Sequence, residues 1–200
     1  FNIIQPVLLG TWCTLCLLGA AAMLVQIPYS VDEIVASGQF LLRRRRAGKS
    51  LLRVFFTGDT DDGPTEQAEA EFARPPLVVL RDVVGGGVGT PWTLLACIAI
   101  GLWLMFTRLT LGAEGDMANA DHLLGALVVT VSVTALAEVV RGVRFVNVAF
   151  GLALLVTPFA FDGSLAQTVA SLACGLALIA LSIPRGRIRN HFGSWDRLIV

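Results

Sequence analysis

Five apolar stretches, each long enough to cross a lipid bilayer, constrain this chain more than any other feature. They cover roughly Val7 to Tyr29, Trp92 to Leu111, Leu123 to Val140, Phe145 to Phe161 and Leu165 to Ile183. Each holds about 17 to 23 residues, enough at about 1.5 Å of rise per residue to span a hydrocarbon core of roughly 30 Å. Inside lipid an open strand would leave its backbone N–H and C=O groups unpaired, so every stretch has to be helical. Composition agrees, with 55% hydrophobic and 15% charged residues and a mean hydropathy of +0.73. The expected class is therefore an all-α integral membrane protein. The chain opens at Phe1, already in apolar sequence, with neither a basic n-region nor a small-residue cleavage site before it. That excludes a signal peptide and suggests a piece of a longer or processed protein.

Charge gives the orientation. Lys and Arg collect on the cytoplasmic side of membrane proteins. If the first span runs from outside to inside and the others alternate, fourteen of the fifteen cations fall inside, Arg108 being the exception. The outer loops then carry Glu114, Asp116, Asp121 and Asp162, and the tail with Arg185, Arg187, Arg189 and Arg197 is cytoplasmic. A net charge of zero argues against a nucleic-acid partner.

About 60 residues separate the first two spans. Ser30 and Glu33 have the spacing of a capping box after Pro28, which predicts a new helix there. Val31, Ile34, Val35, Leu41 and Leu42 can share one face, so this helix, with its Arg43–Arg46 end, would lie against an anionic leaflet. The acidic "TGDTDDGPTEQAEAEFARPP" that follows has no apolar period and reads as a linker. "VVGGGVGT", residues 83–90, has no Lys after its glycines and precedes a span, so it is a hinge rather than a phosphate loop. The division expected is 1–42, a linker at 43–90, and a membrane domain at 91–200.

The last four spans read as two copies of a helical hairpin. "GLWLMFTRLTLG" from Gly101 matches "GLALLVTPFAFDG" from Gly151, and "RGVR" at 141 is echoed approximately by "RGRI" at 185. Both copies enter from inside, which makes the repeat parallel. Gly125, Gly151 and Gly175 would let helices approach closely.

Cys13 and Cys16 are the main candidates for chemistry. A C-x-x-C pair at a helix start lets two sulfurs join with little backbone movement, and the positive end of the helix dipole favours a thiolate. Charge topology puts the pair on the outer, oxidising face. Simple packing is the bland alternative, since cysteine also behaves as a small hydrophobe. Zinc would need two further ligands on the same face, and none is in view. Cys97 and Cys174, isolated in apolar runs, read as packing residues. Glu138, near the inner end of the third span, has Arg141 and Arg144 within helical reach and reads as half of an interfacial ion pair. Arg108 would snorkel towards Glu114 or Asp116. Trp92, Trp103 and Trp195 read as packing or interfacial anchors, and Trp12 as packing on the cysteine pair or on a flat ligand.

"IIQPVLLGTWCTLCLLGAAAMLVQIPYSVDEIVASGQFL" resembles the last catalytic helix of bacterial vitamin K epoxide reductase family proteins, over about the first 42 residues. "TPWTLLACIAIGLWLMF", "RFVNVAFGLALLVTPF" and "GSWDRLIV" resemble SPW-repeat membrane domains, which occur fused behind such reductase domains. The resemblance implies one reductase-type helix followed by a four-helix transmembrane bundle of two parallel hairpins. It implies that Cys16 is the thiol next to a quinone, of menaquinone or ubiquinone type. Cys13 would exchange with a second cysteine pair on an upstream outer loop, and a thioredoxin-like extracytoplasmic protein would supply the electrons. Trp12 would pack on the disulfide or the quinone. The net reaction would couple disulfide formation outside the membrane to quinone reduction, at the inner (plasma) membrane of a bacterium. The upstream helices and loop cysteines are absent from this chain, so alone it should not turn over. A non-enzymatic membrane anchor with structural cysteines is the rival expectation.

Overall fold

The computed structural model describes Gly10 and residues 13–59, 75–78 and 88–184. Its regular elements are all helical, and four helical stretches, Thr14–Arg46, Gly115–Thr134, Glu138–Ala160 and Leu165–Ser182, have the length and apolar composition to cross a membrane. The expected linker core at 60–74, the glycines at 85–87, Trp12 and the tail from 185 with Trp195 lie outside the described residues.

Helix α1, Thr14–Arg46, is one element of 33 residues where the sequence predicts a span, a break and a second helix. Pro28 lies inside it and is buried. Proline removes a single backbone bond, leaving the carbonyl of Leu24 without its donor, whereas a full break would free several groups at once. The continuous helix costs less. Ser30 consequently sits mid-helix, and no capping box forms there. At about 1.5 Å per residue α1 is about 50 Å long, more than a bilayer needs. Beyond Pro28, Val31 and Val35 pack on Ala137 and Val139, which joins α1 to the C-terminal helices.

The basic end of α1 turns at Gly48 (φ 80°) into the short helix α2, Leu51–Thr57. Asp59 holds this turn closed through Arg44 Nε at 3.2 Å and Lys49 Nζ at 2.7 Å. The Arg44 guanidinium also stacks on the Phe40 ring at 5.3 Å.

The second apolar stretch is broken near its C-terminal end. Helix α3, Trp92–Met105, stops at Phe106 (φ −109°, ψ 17°), and α4, Thr107–Thr110, follows. Helix α5, Gly115–Thr134, starts eight residues before the expected Leu123 and ends before Val140. The polar run with Asp116, Asp121 and His122 therefore belongs to the helix. Next comes a 3-10 segment, Glu138–Phe145, then α6, Val146–Ala160, and α7, Leu165–Ser182. The start of α7 is fixed by a capping box in which Ser164 and Gln167 satisfy each other's backbone N–H groups.

Helices α3, α5, α6 and α7 form a ring in which each touches the next. Gly101 of α3 faces Gly125 of α5, where an added Cβ would meet the opposing carbonyl oxygen at 2.8 Å or 2.5 Å. Gly151 of α6 faces Gly175 of α7 in the same way, at 2.8 Å in both directions. Lipid tails are as apolar as leucine, so close van der Waals contact replaces hydrophobic burial as the cohesive force here. Cys97, Leu104, Val128, Leu154 and Leu178 fill the centre with no exposed surface.

Candidate functional site

Cys13 is the N-cap of α1, with extended backbone (φ −101°, ψ 111°). Its sulfur takes the place that a serine or aspartate oxygen usually holds, accepting the Cys16 N–H at 3.4 Å. Cys13 stands one residue outside the helix. The Cys16 side chain and then the Cys16 backbone N–H donate to its sulfur and hold the thiol below its ordinary value, with burial opposing weakly. This is the arrangement that makes one cysteine of such a pair the better nucleophile. Both cysteines are partly exposed, and no disulfide joins them in this structure. Leu15, Leu18, Met23 and Val25 on the same half of α1 are open to the surroundings. The described residues thus give one wall beside Cys16 and no enclosed pocket for a quinone ring.

A second set of polar groups lies inside the helix ring, in a place the sequence reading assigned to a loop. Asp121 is in α5, not in an outer loop, and is 1% exposed. It accepts a hydrogen bond at 3.0 Å from Ser171 of α7, which is fully buried. His122 Nδ1 lies 3.1 Å from the Met105 carbonyl oxygen at the break that ends α3. Arg108 donates to Asn119 Oδ1 rather than reaching Glu114 or Asp116.

Toward the other end of the ring, Asn147 Nδ2 donates to Ser132 Oγ at 2.9 Å, both side chains being fully buried. Cys97 neighbours Ser182, whose hydroxyl donates to the Leu178 carbonyl at 2.6 Å. The Glu138–Arg141 pair exists, with Nη2 and Oε1 4.0 Å apart, and both side chains are almost completely buried. Arg141 Nη2 also donates to the carbonyls of Gly89 and Leu136, at 3.2 and 3.3 Å. Gly89 accepts this because a Cβ there would run into the guanidinium and the Glu138 carboxylate. Arg144 ties the 3-10 segment to the end of α7 through the Ile183 carbonyl at 2.9 Å. Among the described residues no group of three His, Cys, Asp or Glu side chains is arranged to hold a metal ion.

Asp121 and Ser171 are 50 residues apart, and stepping back by the same interval from each buried residue between Arg144 and Ser182 lands on another buried residue. It carries Gly101 to Gly151, Gly125 to Gly175, Leu104 to Leu154, Val128 to Leu178 and Ser132 to Ser182. It also carries Thr107 to Thr157, whose hydroxyls bond the carbonyls of Leu104 and Leu154 at 3.1 and 3.0 Å. In α6 that hydroxyl serves the carbonyl that Pro158 cannot reach for lack of an N–H. The Asn147–Ser132 contact maps by the same step onto Cys97–Ser182.

Residues 91–184 match the SPW repeat domain. The match takes in α3 to α7 and the 3-10 segment, so the whole helix ring lies within the part of the chain that is similar to this domain. No curated protein and no solved structure matches the chain. The domain and the several apolar helices together make this a multi-pass membrane protein whose helices contact lipid.

Proposed function

We propose that this chain is a membrane thiol–disulfide exchange helix carried by an SPW repeat domain. The observation behind the reading is the Cys13–Cys16 geometry, a sulfur capping α1 and accepting from its partner cysteine. In the exchange, a dithiol partner's thiolate attacks Cys13 of the oxidised pair and Cys16 leaves as thiolate. The partner's second thiolate then attacks the mixed disulfide, which releases an oxidised partner and leaves Cys13 and Cys16 reduced. By the resemblance to vitamin K epoxide reductase family proteins, a quinone is the terminal acceptor. A thioredoxin-like extracytoplasmic protein and an upstream cysteine pair would stand before Cys13. The described residues do not enclose a quinone, so no step is routed through one.

The arrangement proposed has the cysteine pair on the outer face of the bacterial inner membrane and the C-terminus in the cytoplasm. Charge distribution supports it, as Arg43–Arg46 and the Arg141–Arg144 turn then share one side. Helices α3 with α5, and α6 with α7, are the two parallel hairpins of the repeat, supported by the matched glycine contacts. The second reading, a non-enzymatic membrane anchor with structural cysteines, is favoured by the SPW match covering none of α1.

The test is trapping in membranes that contain the protein. A Cys16→Ala variant should accumulate a mixed disulfide through Cys13 with an added thiol–disulfide pair, and Cys13→Ala should not. If neither cysteine exchanges faster than a cysteine placed at exposed Gly19, the exchange reading is wrong and the anchoring reading stands.

A further inference from the structure

Asp121 poses an electrostatic question that the cysteine chemistry does not touch. It is a carboxyl group 1% exposed within a helix that has the length and composition to span the membrane. An ionised carboxylate in such a place is strongly disfavoured unless it is paired. Among the described residues it forms no ion pair. Its one recorded donor is the Ser171 hydroxyl at 3.0 Å, a neutral group.

The neighbours offer no countercharge either. On α5, His122 turns its Nδ1 to the Met105 carbonyl. On α7, Cys174 lies close enough to interact electrostatically with Asp121, and it too is an acid. On α4, Arg108 is engaged with Asn119. Helix α3 has Cys97 as its sole ionisable side chain and α6 has none. A sodium ion would require five or six oxygen ligands, and Asp121 and Ser171 supply three between them.

We propose that Asp121, with Ser171 as its hydrogen-bonding partner, is a proton-binding site inside the helix ring. The proton takes the place of the missing cation. It also gives Asp121 a donor of its own, so that carboxyl and hydroxyl can bond across the α5–α7 contact in either direction. The 50-residue interval puts the two groups at equivalent places in the two repeats, so the proton sits where the repeats face each other. This inference is independent of the cysteine pair, and Cys13→Ala or Cys16→Ala should leave it unchanged.

The experiment is infrared difference spectroscopy of the full chain reconstituted in lipid, comparing wild type with Asp121→Asn at neutral pH. The expected result is a protonated-carboxyl C=O band in wild type that disappears in Asp121→Asn, shifts in Ser171→Ala, and is unaffected by exchanging sodium for choline. Should Asp121→Asn not be recovered in folded form, Asp121→Glu keeps the acid and should move the same band. An ionised-carboxylate band assigned to residue 121 would overturn the proposal, and so would a protonated band that sodium removes.

Discussion

At Cys13 a single sulfur serves both folding and chemistry, and the two roles can be separated by titration. The Cys16 side chain is the first cause of the lowered Cys13 thiol, followed by the Cys16 N–H, which any residue at 16 would still supply. Because the shift is downward, Cys13 is thiolate over a wider range at the neutral side than an ordinary cysteine. Its alkylation rate in membranes should therefore reach half-maximum below the usual thiol value of about 8.5. Cys16→Ala should move that midpoint up, and at neutral pH alkylation slows about tenfold for each unit of the move. An unchanged midpoint would mean that the helix end alone sets it. The spacing of this pair was legible because C-x-x-C is local. Asp121 was not, since nothing in "GDMANADHLLGAL" says that a residue 50 positions away will offer a hydroxyl.

Two facts at the element scale separate glycines that matter from glycines that do not. Gly101, Gly125, Gly151 and Gly175 stand where opposing backbones meet, and a methyl group there must displace a carbonyl. Gly101→Ala or Gly151→Ala should each cost about 1–3 kcal/mol, by forced separation of the pair. Gly38→Ala in the far half of α1 meets nothing within 4 Å and should be neutral or stabilising by up to about 1 kcal/mol. Thermal unfolding in detergent with helix content as the readout would rank the three. A uniform loss would argue that the close approaches do not hold the ring. The α6 and α7 boundaries agree with the sequence to within a residue or so, because lipid forbids most alternatives to a helix. The boundaries of α1, α3 and α5 shifted for tertiary reasons. Pro28 is tolerated in a helix, Phe106 breaks one, and Asp121 and His122 find partners that turn a polar run into buried helix.

Over the whole molecule, the 50-residue interval makes the ring resemble two half-domains facing each other, with the same contact made twice in different chemistry. Asn147 donates to Ser132 on one side, and Cys97 meets Ser182 on the other. If the two contacts are equivalent, cysteines should cross-link at both. Ser182→Cys gives Cys97 a sulfur partner between α3 and α7, and the double variant Asn147→Cys, Ser132→Cys gives one between α6 and α5. Oxidation in membranes by an apolar oxidant should form both intramolecular disulfides, read by peptide mapping, whereas native Cys97 and Cys174 should stay unlinked. Cross-linking at one pair alone would mean that the two halves pack differently despite their common register. Both pairs linking would tie α3 to α7 and α5 to α6. Asp121 and Ser171 bond across the same ring, from α5 to α7, so a locked ring should keep the infrared signature of the acid, and a ring that opens should lose it.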